Sequence, residues 1–368
     1  MDTAYFGRDD YFVLENTGVR EALFAFGTRE TSVFRLSVEN HDGWSGEWCT
    51  EEHNFCGRLR ATGLKAGSFY TARGYTGDRE IAALNFRTLA GLAGSPILRF
   101  AVIADPHLSL DRENRRGRMF QESSCLLQEI VEGAQSEAVD ALMLPGDLTD
   151  AGKPEEFRKV MEILSAFSGF LFTIPGDHDS GCKSHSLKDT PGGDWLSAVP
   201  YVKQLGNLRV LGLDTSPGIL GKPQMELLEQ TLADPGRLII LSHHNLIPNS
   251  HIRDKDAVVD DHQYVRDLLM ESRTCWVAYC GHKNVPWMLR AGRGVQINVP
   301  QPVHYPAGFL SVAVYKDALI HQFVPIRSEI LRDYSLRMLS RDGSPSFDPG
   351  YRYGSLEARS SILSWEEN

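Results

Sequence analysis

Five short blocks of acidic and imidazole side chains carry the chemistry of this sequence: Asp105-Pro-His107, Gly146-Asp147-Leu148-Thr149-Asp150, Gly176-Asp177-His178-Asp179, His243-His244-Asn245 and Gly281-His282-Lys283-Asn284. Carboxylates supply charge and can bridge two cations, and neutral imidazole suits Zn, Fe, Mn and similar ions. Taken singly each block is weak, because a lone Asp-x-His or Gly-Asp is most often a turn and a loop His is usually solvated. As a set they are not weak. Each follows a run with the composition of a buried strand, at 98–104, 141–144, 170–174, 238–241 and 276–279. Side chains at the carboxyl ends of strands in an α/β sheet gather on one edge. Several acids and histidines converging there call for a cation, since isolated buried charges cost too much.

The elements that must position these blocks follow from periodicity. From residue 97 onward, helical apolar patterns at 119–134, 154–167, 224–233 and 257–270 alternate with the strands already named and with 209–213. That alternation predicts a layered α/β domain. Strands at 295–299, 309–314 and 319–323 follow one another without helices, so the sheet is expected to be mixed. Residues 1–95 read as all-β, with β-rich runs at 11–14, 22–26, 32–38, 59–62, 69–75 and 82–88, which suits a sandwich of two sheets. Within it, Leu64, Gly67 and Tyr70 are spaced as in the tyrosine corner of fibronectin type III domains, which this segment resembles. The small-residue stretch Gly91-Leu-Ala-Gly-Ser-Pro96 is the expected boundary. The expected organisation is a β-sandwich at 1–95, a catalytic domain at 97–326, and a polar extension at 327–368 that packs back on the body.

Composition narrows the class. With 42% hydrophobic and 23% charged residues in 368, the chain reads as an ordinary globular protein with a sizeable core. A net charge of −10 argues against non-specific nucleic-acid binding, which needs a basic face. It leaves room for a small phosphorylated substrate, since bound metals reverse the local field. Residues 1–8 show no basic segment running into an apolar one, and no apolar run approaches the ~20 residues of a membrane helix. No leader and no membrane association are expected. The six cysteines lack any CxxC pair and read as reduced thiols of a cytoplasmic protein. Sequences of the types GxxxxGK[ST], GxSxG and HExxH are missing, as is GxGxxG after a strand.

Over residues 97–326 the five blocks together resemble the calcineurin-like metallophosphoesterase family, whose motifs are DxH, GDxxD, GNH(D/E), a His block and GHxH. The resemblance implies a mixed-sheet α-β-β-α sandwich holding two transition-metal ions, drawn from Mn2+, Fe2+/Fe3+ or Zn2+. Carried across residue by residue, Asp105 and His107 would bind the first ion, Asp147 would bridge both, and His243 and His282 would bind the second. His178 would be the catalytic acid with Asp150 orienting it, and a hydroxide bridging the ions would be the nucleophile. Two positions depart from the pattern. Asp177 stands where the family has Asn and still offers oxygen to the second ion, and Asn284 stands where it has His and could offer its carbonyl to the first. Three carboxylates plus a hydroxide neutralise two divalent ions, which would weaken attraction for phosphate or favour Fe3+. Purple acid phosphatases also join a β-sandwich to such a domain, but they carry a metal-binding Tyr where Asp150 stands here.

The function expected from the resemblance is hydrolysis of a small phosphoester, diester ahead of monoester. Cleavage of a phosphonate or pyrophosphate, or a metal-stabilised non-catalytic adaptor, are the alternatives. The β-domain could cap the site, bind a partner or mediate a homo-oligomer. Specificity is expected in the loops at 108–118 and 181–200. Within the first, Arg112, Arg115, Arg116 and Arg118 could reach a second phosphate or an anionic head group, although a solvated loop of mixed charge is the plainer reading. His244, beside a ligand position, could face the pocket or the core, His185 could line the substrate entrance although a solvated loop is the plainer reading, and His251 and His304 are weaker candidates, His304 for the site rim.

Overall fold

The computed structural model describes residues 3–179, 199–252, 257–339 and 348–365. Alternating burial builds the N-terminal part: in Arg79–Arg87, for example, Ile81, Leu84 and Phe86 point inward while their neighbours face water. Eight strands arise this way: β1 (Ala4–Phe6), β2 (Tyr11–Thr17), β3 (Glu21–Ser32), β4 (Phe34–Glu39), β5 (Ser45–Cys49), β6 (Asn54–Thr62), β7 (Phe69–Thr76) and β8 (Arg79–Arg87). They form two four-stranded antiparallel sheets, ordered β1-β2-β3-β6 and β5-β4-β7-β8. The inner faces meet over Phe12, Phe24, Phe26, Phe34 and Phe86. The Tyr70 hydroxyl accepts the Lys65 N–H at 2.7 Å, the corner contact that the Leu64–Tyr70 spacing implies.

Two six-stranded mixed sheets follow. The first comprises β9 (Leu98–Val102), β10 (Ala141–Pro145), β11 (Phe170–Ile174), β18 (Gly308–Val314), β19 (Ala318–Pro325) and β20 (Ser360–Ser364), ordered β11-β10-β9-β18-β19-β20. The second comprises β12 (Tyr201–Leu205), β13 (Leu208–Gly212), β14 (Arg237–Ser242), β15 (Cys275–Cys280), β16 (Met288–Ala291) and β17 (Gly294–Asn298), ordered β12-β13-β14-β15-β17-β16. Strands β9, β10 and β11 run parallel, as do β13, β14, β15 and β17. The sheets face each other across Phe100, Val102, Met143, Ile239, Val277 and Tyr279. Helices α1 (Ser123–Ser136) and α2 (Pro154–Leu164) cover the outer face of the first, and α3 (Lys222–Ala233) and α4 (His262–Glu271) that of the second. This is the expected α-β-β-α layering.

Three helices are shorter than their apolar patterns suggest, α2 among them, since the buried Phe167 lies beyond its end. Met119 and Phe120 are buried but precede α1, and Ala257 and Val259 are buried but precede α4. Periodicity registers burial, and a buried loop residue extends the pattern without extending the helix. The polar C-terminal stretch also holds more structure than its composition suggests. It forms α5 (Glu329–Leu339), α6 (Pro349–Tyr353) and α7 (Leu356–Arg359), then adds β20 to the edge of the first sheet beside β19. No helix among the described residues is long and apolar enough to cross a membrane. Cys49, Cys56, Cys125, Cys275 and Cys280 are free thiols, and Cys182 lies outside the described residues.

A buried charge cluster ties this stretch to the sandwich. Glu15, fully buried, pairs with Arg58 at 3.1 Å and with the buried Arg332, while Arg359 donates to the Leu14 carbonyl at 2.7 Å. Removing one member of such a cluster leaves a buried charge without compensation, at about 3–5 kcal/mol. Glu15→Gln is therefore expected to lower unfolding free energy by about that amount in urea titrations. A loss below about 1 kcal/mol, the range of an exposed pair, would show that the cluster is not closed to water.

Candidate metal centre

Each block sits where its strand ends. Asp105 and His107 follow β9, Asp147 follows β10, Asp177 and His178 follow β11, His243 follows β14, and His282 and Asn284 follow β15. These strands are parallel within their sheets, so their carboxyl ends open on one side. The turns there are tight. Asp105 (φ 46°), His107 (40°), Asp147 (50°), His282 (63°) and Asn284 (53°) all occupy the left-handed region. That conformation costs a non-glycine residue roughly 1–2 kcal/mol, and such strain collects where function demands it. Two glycines are required by close approach. A Cβ on Gly176 would lie 2.1 Å from Asp147 Oδ1, and one on Gly281 would lie 2.2 Å from Asp105 Oδ1.

All nine candidate residues converge. Asp105, His107 and Asp147 bring one ligand atom each within 4.8 Å of one another, and so do Asp147, Asp177 and His243. Asp147 belongs to both sets. His107 Nε2 lies 3.5 Å from Asp147 Oδ2, and His243 Nε2 lies 3.4 Å from Asp147 Oδ1 and 2.8 Å from Asp177 Oδ1. His282 Nδ1 stands 3.2 Å from Asp177 Oδ1. Asn284 donates its amide N–H to Asp105 Oδ2 and to the His282 carbonyl, which leaves its oxygen for another partner.

The electrostatics mark an arrangement short of positive charge. Burial pushes the Asp105 and Asp147 carboxyls upward, only partly offset by His243. Burial should neutralise His243, yet Asp147, Asp177 and Asp105 outweigh it and hold the ring up at about 10. For Asp177, burial is overcome by hydrogen bonds from His243 and His282, and its carboxyl falls below the usual range. His107 is driven well down by burial and by Arg118. Meanwhile Asp105 Oδ1, His107 Nε2, His282 Nε2 and Asn284 Oδ1 are buried without a hydrogen-bond partner among the described residues. Buried polar atoms are rarely left so. All four can present a lone pair, so the donor set fits cations.

His178 lies at the rim, its side chain 35% exposed. The resemblance implies that Asp150 orients it, as the acid of a catalytic triad does. Instead, His178 Nδ1 donates to the Asp150 main-chain carbonyl at 2.6 Å, while the carboxylate stands 3.7 Å from both this nitrogen and His107 Nδ1. The physical reason is reach: the loop carbonyl comes to the ring first, and the carboxylate falls between two imidazoles.

Other residues stand at the site beyond the nine candidates. Asp179, fully buried, accepts the N–H groups of Leu148, Thr149 and Gly176 and the Thr149 hydroxyl, locking the second and third blocks together. Its only trace in the sequence is its place next to His178. His244 joins Asp177 and His282 in a further possible ligand group, with burial holding it down at about 3. A cavity of about 220 Å³ opens over the cluster, lined by Asp147, His178, His282, Arg118, Tyr351 and Arg352 among others. Tyr351 and Arg352 come from α6, and no local pattern could have linked them to this site. His251 stacks on Trp287, His304 is buried beside Arg116, and His185 lies outside the described residues, as does most of the 181–200 loop.

Comparison with known proteins gives the same picture. The family model for calcineurin-like phosphoesterases matches residues 98–286. The chain is 27% identical over 186 residues to 3',5'-cyclic adenosine monophosphate phosphodiesterase CpdA of Haemophilus influenzae, covering 48% of this chain and 66% of that protein. It is 25% identical over 180 residues to glycerophosphodiester phosphodiesterase GpdQ of Enterobacter lignolyticus, covering 46% of this chain and 64% of that one. The matched region thus spans just under two thirds of either relative. A dimetal phosphatase from Danio rerio shares the fold, with a TM-score of 0.53 at 14% identity over 74% of this chain and all of that one.

Proposed function

The chain belongs to the calcineurin-like phosphoesterase family, and from that membership we propose that it hydrolyses small phosphodiesters, in preference to monoesters, at a centre of two divalent transition-metal ions. The observation that carries this is the pair of ligand sets sharing Asp147. Asp105, His107, Asp147 and the Asn284 carbonyl oxygen would hold one ion, and Asp147, Asp177, His243 and His282 the other. Two such ions supply a water acidic enough to be hydroxide near neutral pH and neutralise phosphoryl charge. Mn2+, Fe2+ and Zn2+ suit these nitrogen and oxygen donors, and the third carboxylate, Asp177, would also suit Fe3+.

The protein groups then have separate duties. Asp179 and the tight turns fix the ligands before substrate arrives. The Asp150 carbonyl can only accept, so Nδ1 of His178 must carry a proton. In the imidazolium the other ring nitrogen also carries one, and it can be delivered to the departing alkoxide. Preference for diesters rests on the two relatives above, which are named as phosphodiesterases.

With added Mn2+, bis-p-nitrophenyl phosphate is expected to be turned over with a higher kcat/KM than p-nitrophenyl phosphate. Faster monoester turnover would overturn the diester preference. Turnover of neither, with metal bound, would favour a binding role.

A further inference from the structure

Next to the metal-centre cavity lies a second one, of about 370 Å³, lined by Arg115, Arg116, Arg118, Phe120, His304 and Arg352. Among the described residues, four guanidiniums and no carboxylate line it, in a chain whose net charge is −10. Arg118 and Arg352 line both cavities, so the two are contiguous.

The arginine-bearing segment is a built structure. Arg115 and Arg118 exchange backbone hydrogen bonds at 3.2 and 2.9 Å, closing a tight hairpin. Three other contacts clamp it: the His304 ring to the Arg116 carbonyl at 3.1 Å, the Ser335 hydroxyl to the Gly117 carbonyl at 2.6 Å, and the Met119 N–H to the Val303 carbonyl at 2.8 Å. Arg116 (φ 53°) and Gly117 (φ 77°) are the two central residues of its turn, both in the left-handed region that a two-residue hairpin loop requires. From the opposite wall, Arg352 is steadied by donating to the Lys283 carbonyl at 3.1 Å. Arg115 lies over the Phe120 ring and pairs with Asp111. Neither Arg116 nor Arg118 pairs with a carboxylate among the described residues. The clamped backbone sets where the exposed Arg115 and Arg116 side chains can reach, and planar guanidiniums gathered around one space are suited to bidentate capture of an oxyanion.

We propose that this arginine pocket is a second anion subsite, taking a terminal phosphate or carboxylate carried by the substrate beyond its scissile phosphoester. The inference rests on the proposed hydrolysis at the metal centre and narrows it to substrates with two anionic groups. Arg118 and Arg352, shared by the cavities, hold the stretch of substrate between them, while Arg115 and Arg116 meet the remote group.

The test uses p-nitrophenyl phosphodiesters whose second alcohol is a short alkyl chain ending in methyl, carboxylate or phosphate. On the metal-loaded protein, an anionic terminus is expected to raise kcat/KM about ten-fold or more over the methyl terminus, the worth of charge-assisted hydrogen bonds. That ratio is expected to collapse in the Arg115→Gln/Arg116→Gln double variant. Whether phosphate or carboxylate gains more identifies the natural group. Equal turnover across the three termini, or a ratio that survives in the variant, would overturn the proposal. Calorimetric titration with inorganic phosphate separates this from failure of the hydrolytic reading. If no diester is cleaved, wild-type protein must still bind one more phosphate per chain than the double variant, and equal stoichiometry would overturn the subsite.

Discussion

Replacing Asp147 by Asn is expected to abolish phosphodiester turnover and to leave the chain unable to retain two ions. Asp147 is the one residue in both ligand sets, and it is 1% exposed. Its Oδ1 accepts the His178 N–H at 2.9 Å and lies 3.4 Å from His243 Nε2, and its Oδ2 faces His107 at 3.5 Å. Asn keeps the shape but supplies one oxygen and no charge, so it cannot serve two cations at once. Charge stabilisation by such ions is worth several kcal/mol, so kcat/KM should fall on the order of 10³-fold or more. Ion binding to the native state alone also stabilises by mass action, by about 2.7 kcal/mol at a hundred times Kd. Added Mn2+ should therefore raise the melting temperature of the wild type markedly and that of the variant little. Elemental analysis after gel filtration, run beside the melting curves, checks both parts. Two retained ions in Asp147→Asn would remove the shared-carboxylate assignment.

His178→Ala should behave in the opposite way, keeping its ions and losing rate. The side chain stands at the rim, and although it could form a ligand group with His107 and Asp150, it belongs to neither set that shares Asp147. General acid catalysis typically contributes about 10² to 10⁴-fold. The loss should depend on the leaving group. Nitrophenolate departs readily without a proton, whereas an alkoxide does not, so alkyl diesters should suffer more than nitrophenyl ones. A uniform loss across leaving groups would point to substrate binding rather than proton delivery. Asp150→Ala should cost less than His178→Ala, because the hydrogen bond that fixes the ring tautomer comes from the Asp150 carbonyl, which the substitution retains. Equal losses would give the orienting role back to the carboxylate.

What could be read in advance follows a physical line. The five blocks were legible because each combines residue types that water would otherwise claim with a preceding strand that places them, and strands such as those at 141–144 and 238–241 announce themselves by continuous apolar composition. Tyr70 was legible because a corner needs a Gly turn at a fixed distance. Short edge strands were not: Ser45–Cys49 and Met288–Ala291 bury too little to leave a period, and Ser360–Ser364 has three serines among its five residues. The Arg115–Arg118 hairpin had the composition of a solvated loop, and only His304 and Ser335, nearly two hundred residues on or more, reveal it as fixed. Arg352 and Tyr351 reach the metal centre through the fold alone. Asp150 stands beside His178, but whether its carboxylate or its carbonyl makes the bond is a matter of loop geometry that residue types do not encode.

The most direct measurement is activity against metal equivalents. Metal-stripped protein titrated with Mn2+ should gain bis-p-nitrophenyl phosphate turnover that rises until two ions are bound per chain and then levels, because Asp105, His107 and Asp147 form one ligand set and Asp147, Asp177 and His243 the other. Saturation at a single ion, or full loading without turnover, would contradict a two-metal phosphodiesterase.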